Sequence, residues 1–165
     1  KKFNFIKKNS NLLDIGSTPG GWSQVASKII TNGKILAVDI TPMEKIENVS
    51  FLNSDFLDEK IQGKILNIFN TKIDVIISDM AENTTGNKSV DSIRTNNLCI
   101  EVINFSLKTL SDKGALVCKL FMGEDFLEVK NLAKINFKNV EFFKPESSRS
   151  ESKETYIFCS LLKTL

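Results

Sequence analysis

Five short apolar runs, each ending in a polar or glycine-rich break, constrain the fold of this chain more than any other feature. They are "NLLDI" (Asn11–Ile15), "KILAVDI" (Lys34–Ile40), "VSFLNSD" (Val49–Asp55), "IDVIISD" (Ile73–Asp79) and "ALVCKLF" (Ala115–Phe121). Few polar residues alternate within them, the pattern of parallel strands buried on both faces. Segments of helical period lie between. "GWSQVASKII" places Trp22, Val25, Ala26, Ile29 and Ile30 on one side of a helix. "DSIRTNNLCIEVINFSLKTL" does the same with Ile93, Leu98, Val102, Phe105 and Leu110, and Asp91 is its expected N-cap. Asn32-Gly33 and Lys113-Gly114 punctuate the returns to strand. A further helix is predicted over "FLEVKNLAKI", then a closing antiparallel pair over "KNVEFFK" and "ETYIFCSLL". The expectation is a doubly wound α/β sheet, mostly parallel, with an antiparallel C-terminal edge strand. Its 165 residues suit a single domain, residues 1–165, and the opening "KKFNFIKK" without Met suggests further residues upstream.

Composition narrows the chemistry. Histidine is absent, so a general base must be a lysine, a carboxylate or a tyrosine, and a histidine-ligated metal is excluded. No metal is expected. Cys99, Cys118 and Cys159 are scattered without ligand spacing, which favours reduced thiols and a cytoplasmic setting. No apolar run approaches a membrane span, and no signal-peptide pattern is present. A net charge of +2 permits a nucleic-acid partner without demanding one.

The stretch "LLDIGSTPGGWSQVA" sets Asp14 at the end of the first strand, just before a turn with Gly16, Gly20 and Gly21 and a helix opened by Trp22. In doubly wound sheets, ligands sit outside the carboxyl ends of the strands. A dinucleotide loop would read G-x-G-x-x-G and offer backbone N–H groups to a pyrophosphate. Ser17 and Thr18 break that spacing, Pro19 removes a donor, and Asp14 repels phosphate. A cationic, phosphate-free nucleoside fits better, and S-adenosylmethionine is the cofactor expected. Asp39, ending the second run, is placed for ribose hydroxyls; Asp55, ending the third, for the adenine amino group; Asp79 ends the fourth.

"DIGSTPGGWSQVA", "ISDMAENTTG", "VCKLFMGEDF" and "KPESSRSESKETYIFCS" together resemble, in order, the motifs of the FtsJ-like (RlmE-type) ribosomal RNA 2′-O-methyltransferases. The resemblance runs from Leu12 to Cys159. It implies a Rossmann-like methyltransferase sheet and a catalytic Lys-Asp-Lys-Glu tetrad, in which Lys119, Asp79 and Glu154 match three members. The tetrad's first lysine belongs to a helix before the first strand and is assigned to no residue of this chain. Lys119 also stands out independently, as a lysine in an otherwise apolar run. Since a lysine in water ionises near about 10.4, two roles stay open to it: accepting the hydroxyl proton, or orienting the hydroxyl and stabilising the alkoxide. Glu82 stands where the family commonly has proline.

For RNA, the candidate phosphate contacts are Lys144, Arg149 and Lys153, with Lys1, Lys2, Lys7 and Lys8 as weaker candidates. Ser147, Ser148 and Tyr156 are candidates for neutral contacts, and Phe121 is expected in the core. The resemblance implies methylation of a ribose 2′-hydroxyl in large-subunit rRNA or the 50S particle, at a uridine of the A loop, by a monomer. Transfer RNA or an mRNA cap is the alternative substrate. A non-catalytic assembly factor, or a nicotinamide-dependent dehydrogenase, is the alternative outside the class.

Overall fold

The structure is a computed structural model, and it describes residues 4–82, 85–123, 125–146 and 152–163. Seven strands form one sheet. They are β1 (Leu12–Ile15), β2 (Ile35–Asp39), β3 (Ser50–Asn53), β4 (Ile73–Ser78), β5 (Leu110–Phe121), β6 (Phe137–Phe143) and β7 (Glu154–Leu162). The helices are α1 (Gly21–Ile29), α2 (Glu59–Phe69), α3 (Lys88–Thr109) and α4 (Phe126–Asn136). Strand order is β3-β2-β1-β4-β5-β7-β6. The first five strands pair parallel, and β7 runs antiparallel between β5 and β6. The expected antiparallel strand is therefore internal, and β6 forms the edge. Chain order reverses between β1 and β4, which opens the crevice where such sheets hold ligands.

The core lies on both faces of the sheet. On one face, Leu13, Ile15, Val38, Ile76 and Leu116 pack against Ile65 and Phe69 of α2, Val102 and Ile103 of α3, and Val129 of α4. On the other, Leu12, Ile35, Val75, Val117 and Phe158 meet Ala26 and Ile30 from α1 and its end. Val25 and Ile29, expected on the buried stripe of that helix, face solvent instead. Cys99, Cys118 and Cys159 are buried and free of disulfides. Among the described residues, no helix is long and apolar enough to cross a membrane, and no group of three or more cysteines or carboxylates could hold a metal ion.

Two local expectations need correction, and one helix is additional to those expected. Asp91 does not cap α3. Asn87 does, accepting from the Ser89 and Val90 amides, while Asp91 accepts from the Thr85 amide and hydroxyl and ties the preceding loop to the first turn. Lys113-Gly114 does not precede β5. The strand starts at Leu110, and the register jumps from Leu110 opposite Ile73 to Ala115 opposite Val75, so the dipeptide sits in a bulge. Helix α2 was not expected at all.

Candidate active site

The site is built at the carboxyl ends of β1, β2, β4 and β5. Gly16 leaves β1 at φ 72° and Gly20 enters α1 at φ 108°, both left-handed conformations that side chains resist. At Gly16 there is also no room, because a Cβ would lie 2.7 Å from the Met80 Cγ. The loop between them is stitched to β2: the Gly16 amide donates to the Val38 carbonyl at 2.9 Å, and the Thr18 amide to Asp39 Oδ2 at 2.9 Å. Asp39 Oδ1 accepts from the Thr41 amide at 2.7 Å. Asp39 thus joins two loops, and the Thr18 amide is unavailable to a phosphate.

A cleft of about 410 Å³ opens beside this loop. Among the expected cofactor residues, Gly16, Asp39, Asp55 and Asp79 line it, together with Thr18, Ile40, Leu57 and Glu82. Among the described residues, its lining carries four carboxylates and no lysine or arginine. Asp55, two residues beyond β3, folds its Oδ1 onto the Leu57 amide at 2.9 Å. Gly20, Gly21 and Trp22 shape the neighbouring start of α1 rather than the cleft wall.

Asp14 occupies a different position from the one expected. It is the third residue of the four in β1, not its last, and is only 1% exposed. Its Oδ2 accepts from the Ser23 hydroxyl at 2.6 Å, while Oδ1 has no hydrogen-bond partner among the described residues. Burial raises its pKa from 3.8 to about 6; the Ser23 bond opposes the rise, and the Asp79 and Asp39 charges add to it. Ser23 carried no sequence signal beyond its place in the loop motif.

Lys119, Asp79 and Glu154 come together as the resemblance implied. The Lys119 Nζ lies 2.8 Å from Asp79 Oδ1 and 3.5 Å from Glu154 Oε2, and its side chain is 11% exposed. Asp79 directly follows β4, where its amide donates to the Ile15 carbonyl. Glu154 opens β7, two register pairs away from Tyr156, which lies opposite Lys119. The end of β5 is held by Asn96 of α3. Its amide nitrogen donates to the Phe121 carbonyl at 3.0 Å, and its oxygen accepts from the Phe121 amide at 2.8 Å.

Tyr156 is the residue most misplaced by sequence reasoning. It is buried, not an RNA contact at the surface, and its hydroxyl donates to Asp79 Oδ1 at 2.8 Å. Burial, then that bond and the Asp79 and Glu154 charges, hold the phenol protonated well beyond the usual tyrosine range. Period-two alternation in β7 was the available signal, since it puts Glu154 and Tyr156 on one face. Lys144 and Lys153 are exposed, and the Lys144 Nζ donates to the Ser152 carbonyl. Phe121 is half-buried. Lys7 and Lys8 are exposed, and they lie before β1, at the opposite end of that strand from the cleft. Arg149, Lys1, Lys2, Ser147 and Ser148 lie outside the described residues.

A mixed sheet of this order defines the Rossmann-like methyltransferase fold, which solved structures share. A protein assigned as a ribosomal RNA methyltransferase from Plasmodium falciparum superposes with TM-score 0.87 at 30% identity, covering 98% of this chain and 91% of that one. The fibrillarin pre-rRNA processing protein of Methanococcus jannaschii shares the fold at TM-score 0.72 and 18% identity, over 96% of this chain and 69% of that one. The chain belongs to the FtsJ-like methyltransferase family, whose profile matches residues 1–161. It is 44% identical over 163 residues to a Pelagibacter ubique protein named ribosomal RNA large subunit methyltransferase E, covering 99% of this chain and 80% of that protein. The Rickettsia akari protein of the same name is also 44% identical, over 95% of this chain and 72% of its own.

Proposed function

We propose that the chain transfers a methyl group from S-adenosylmethionine to a ribose 2′-hydroxyl of large-subunit ribosomal RNA, with a uridine of the A loop as the target. One observation carries the reading: the described lining of the cleft has four carboxylates and no lysine or arginine, and one of those carboxylates, Asp79, grips the Lys119 ammonium at its margin. That lining repels a pyrophosphate and attracts a ligand bearing an ammonium and a sulfonium. Gly16, Asp39 and Asp55 would hold the nucleoside part, with Gly20, Gly21 and Trp22 shaping the neighbouring turn. Asp14, buried behind the loop with one oxygen unpaired, adds negative potential to it. When bound, the cofactor supplies an electrophilic methyl group on a sulfonium.

The remaining chemistry belongs to the protein. Lys119, held between Asp79 and Glu154, would offer a remaining donor to a 2′-hydroxyl brought beside the cleft. There it orients the oxygen and stabilises the negative charge that develops as the oxygen takes the methyl group and the hydroxyl proton passes to solvent water. Asp79 and Glu154 fix the ammonium in one position, so no reorganisation is needed at the moment of transfer. Lys144, Arg149 and Lys153 would take RNA phosphates. The names of the relatives support the rRNA substrate; the 2′-oxygen and the uridine rest on the motif resemblance and on the lysine-carboxylate cluster. Mapping ribose methylation in rRNA from cells with and without the gene tests the reading. A single 2′-O-methyl site lost at an A-loop uridine supports it, and an unchanged map refutes it.

A further inference from the structure

Tyr156 joins two parts of the site that the reaction must keep in register. Its ring stacks on Phe143 with centroids 5.7 Å apart and packs against Trp22 at 5.5 Å, so one face of the phenol meets the helix opened by the cofactor-loop motif. Its hydroxyl donates to Asp79 Oδ1, the oxygen that also holds the Lys119 Nζ at the same 2.8 Å. Cross-strand pairing puts Tyr156 directly opposite Lys119. A carboxylate oxygen gripped by two donors from adjacent strands has little freedom to rotate, and the lysine it anchors has little either.

We propose that Tyr156 is a positioning residue for methyl transfer: its neutral hydroxyl locks the Asp79 carboxylate that aims Lys119, and its ring fixes that lock against Trp22. The inference rests on the methyltransferase reading above. The hydroxyl also spreads part of the Asp79 charge away from the lysine. Without it, Asp79 can turn out of its place between β4 and β5, and the carboxylate loses a donor that favours its charged form.

The test replaces Tyr156 with Phe, which keeps the ring packing and deletes only the oxygen. Four quantities are compared with the parent: affinity for S-adenosylhomocysteine, KM for ribosomal particles, kcat, and the pH dependence of kcat. The proposal expects homocysteine-nucleoside affinity and KM within a few-fold, kcat lowered roughly ten- to a hundredfold, and the acid limb of the profile moved to higher pH. Unchanged kcat and an unmoved acid limb overturn it. So does a loss of affinity in proportion to kcat, which would mark a packing role through Trp22. Because Tyr156 is the sole tyrosine, 3-fluorotyrosine incorporation changes this hydroxyl alone and serves if the Phe variant does not fold. The stronger donor must move the acid limb the opposite way, and movement in the same direction overturns the proposal. If the parent itself binds no S-adenosylhomocysteine, the cofactor reading fails instead, and that result is visible before any variant is made.

Discussion

Asp14 shows how a single residue sets stability against function. Its carboxyl ionises at about 6 in the fold and at 3.8 ordinarily, so between those values the folded chain holds a proton that the unfolded chain has lost. The stability it contributes is complete below about pH 4 and is lost as pH rises through about 6. The gap amounts to on the order of 3 kcal/mol of destabilisation at neutral pH. Asp14→Asn keeps an acceptor for the Ser23 hydroxyl and removes the charge. It should stabilise the ligand-free protein by about 1–3 kcal/mol near pH 8, by roughly half as much near pH 5, and by almost nothing at about pH 3, below both ionisations. Urea unfolding of both proteins across that range checks this, and parallel stability curves would contradict the assignment. Lys119→Met makes the complementary case. It keeps length and packing in β5 while deleting the amine, so S-adenosylmethionine affinity should stay within a few-fold and methyl transfer to ribosomal particles should vanish. Substantial turnover by that variant would mean that Lys119 is not the group that handles the hydroxyl.

At the scale of elements, β5 illustrates what a sequence exposes and what it hides. Its apolar run, like those of β1, β2 and β4, was legible because a strand buried on both faces leaves few polar positions. Its bulge was not, since Lys113-Gly114 reads equally well as a turn before a strand or as an irregularity within one. The sequence signal of helix α2 is weak because Gly63, a poor helix former, sits inside it, although Ile61, Ile65 and Phe69 recur every four residues behind the Asp58 cap. Lys119, Asp79 and Glu154 could be named from the motifs, but their convergence depends on β7 pairing beside β5 rather than at the edge. Tyr156 and Asn96 were hidden for the same reason, because each acts on a partner far away in sequence. Asn96 tests the point. Its side chain satisfies both backbone groups of Phe121, two residues beyond Lys119. Asn96→Ala leaves them unpaired in a partly buried site and should cost roughly 1–3 kcal/mol. Denaturant unfolding measures the loss, and faster amide exchange at Phe121 localises it. A neutral effect would mean that packing alone holds the end of β5.

For the whole molecule, the decisive property is where the sheet collects its acids. Net charge is only +2, yet the cleft at the β1–β4 crevice gathers Asp39, Asp55, Asp79 and Glu82 without a cation among its lining residues. Selection of ligand class therefore follows from the arrangement of strands, each delivering an acid near its carboxyl end, and not from overall charge. A ligand that binds only the folded state raises stability by about 2.7 kcal/mol at a hundred times its Kd. For a domain of this size each kcal/mol moves Tm by roughly 2–4 °C. S-adenosylhomocysteine at that excess should then raise the melting temperature by roughly 5–11 °C. NAD at the same concentration should leave it unchanged, because its pyrophosphate would face four carboxylates and a loop whose Thr18 amide already serves Asp39. Asp55→Ala should reduce the shift from S-adenosylhomocysteine, since a lost hydrogen bond to a neutral donor weakens binding by about 0.5–1.5 kcal/mol. Thermal unfolding with each nucleotide decides the matter. Equal shifts with NAD and S-adenosylhomocysteine would show that the acids of the cleft do not choose its ligand.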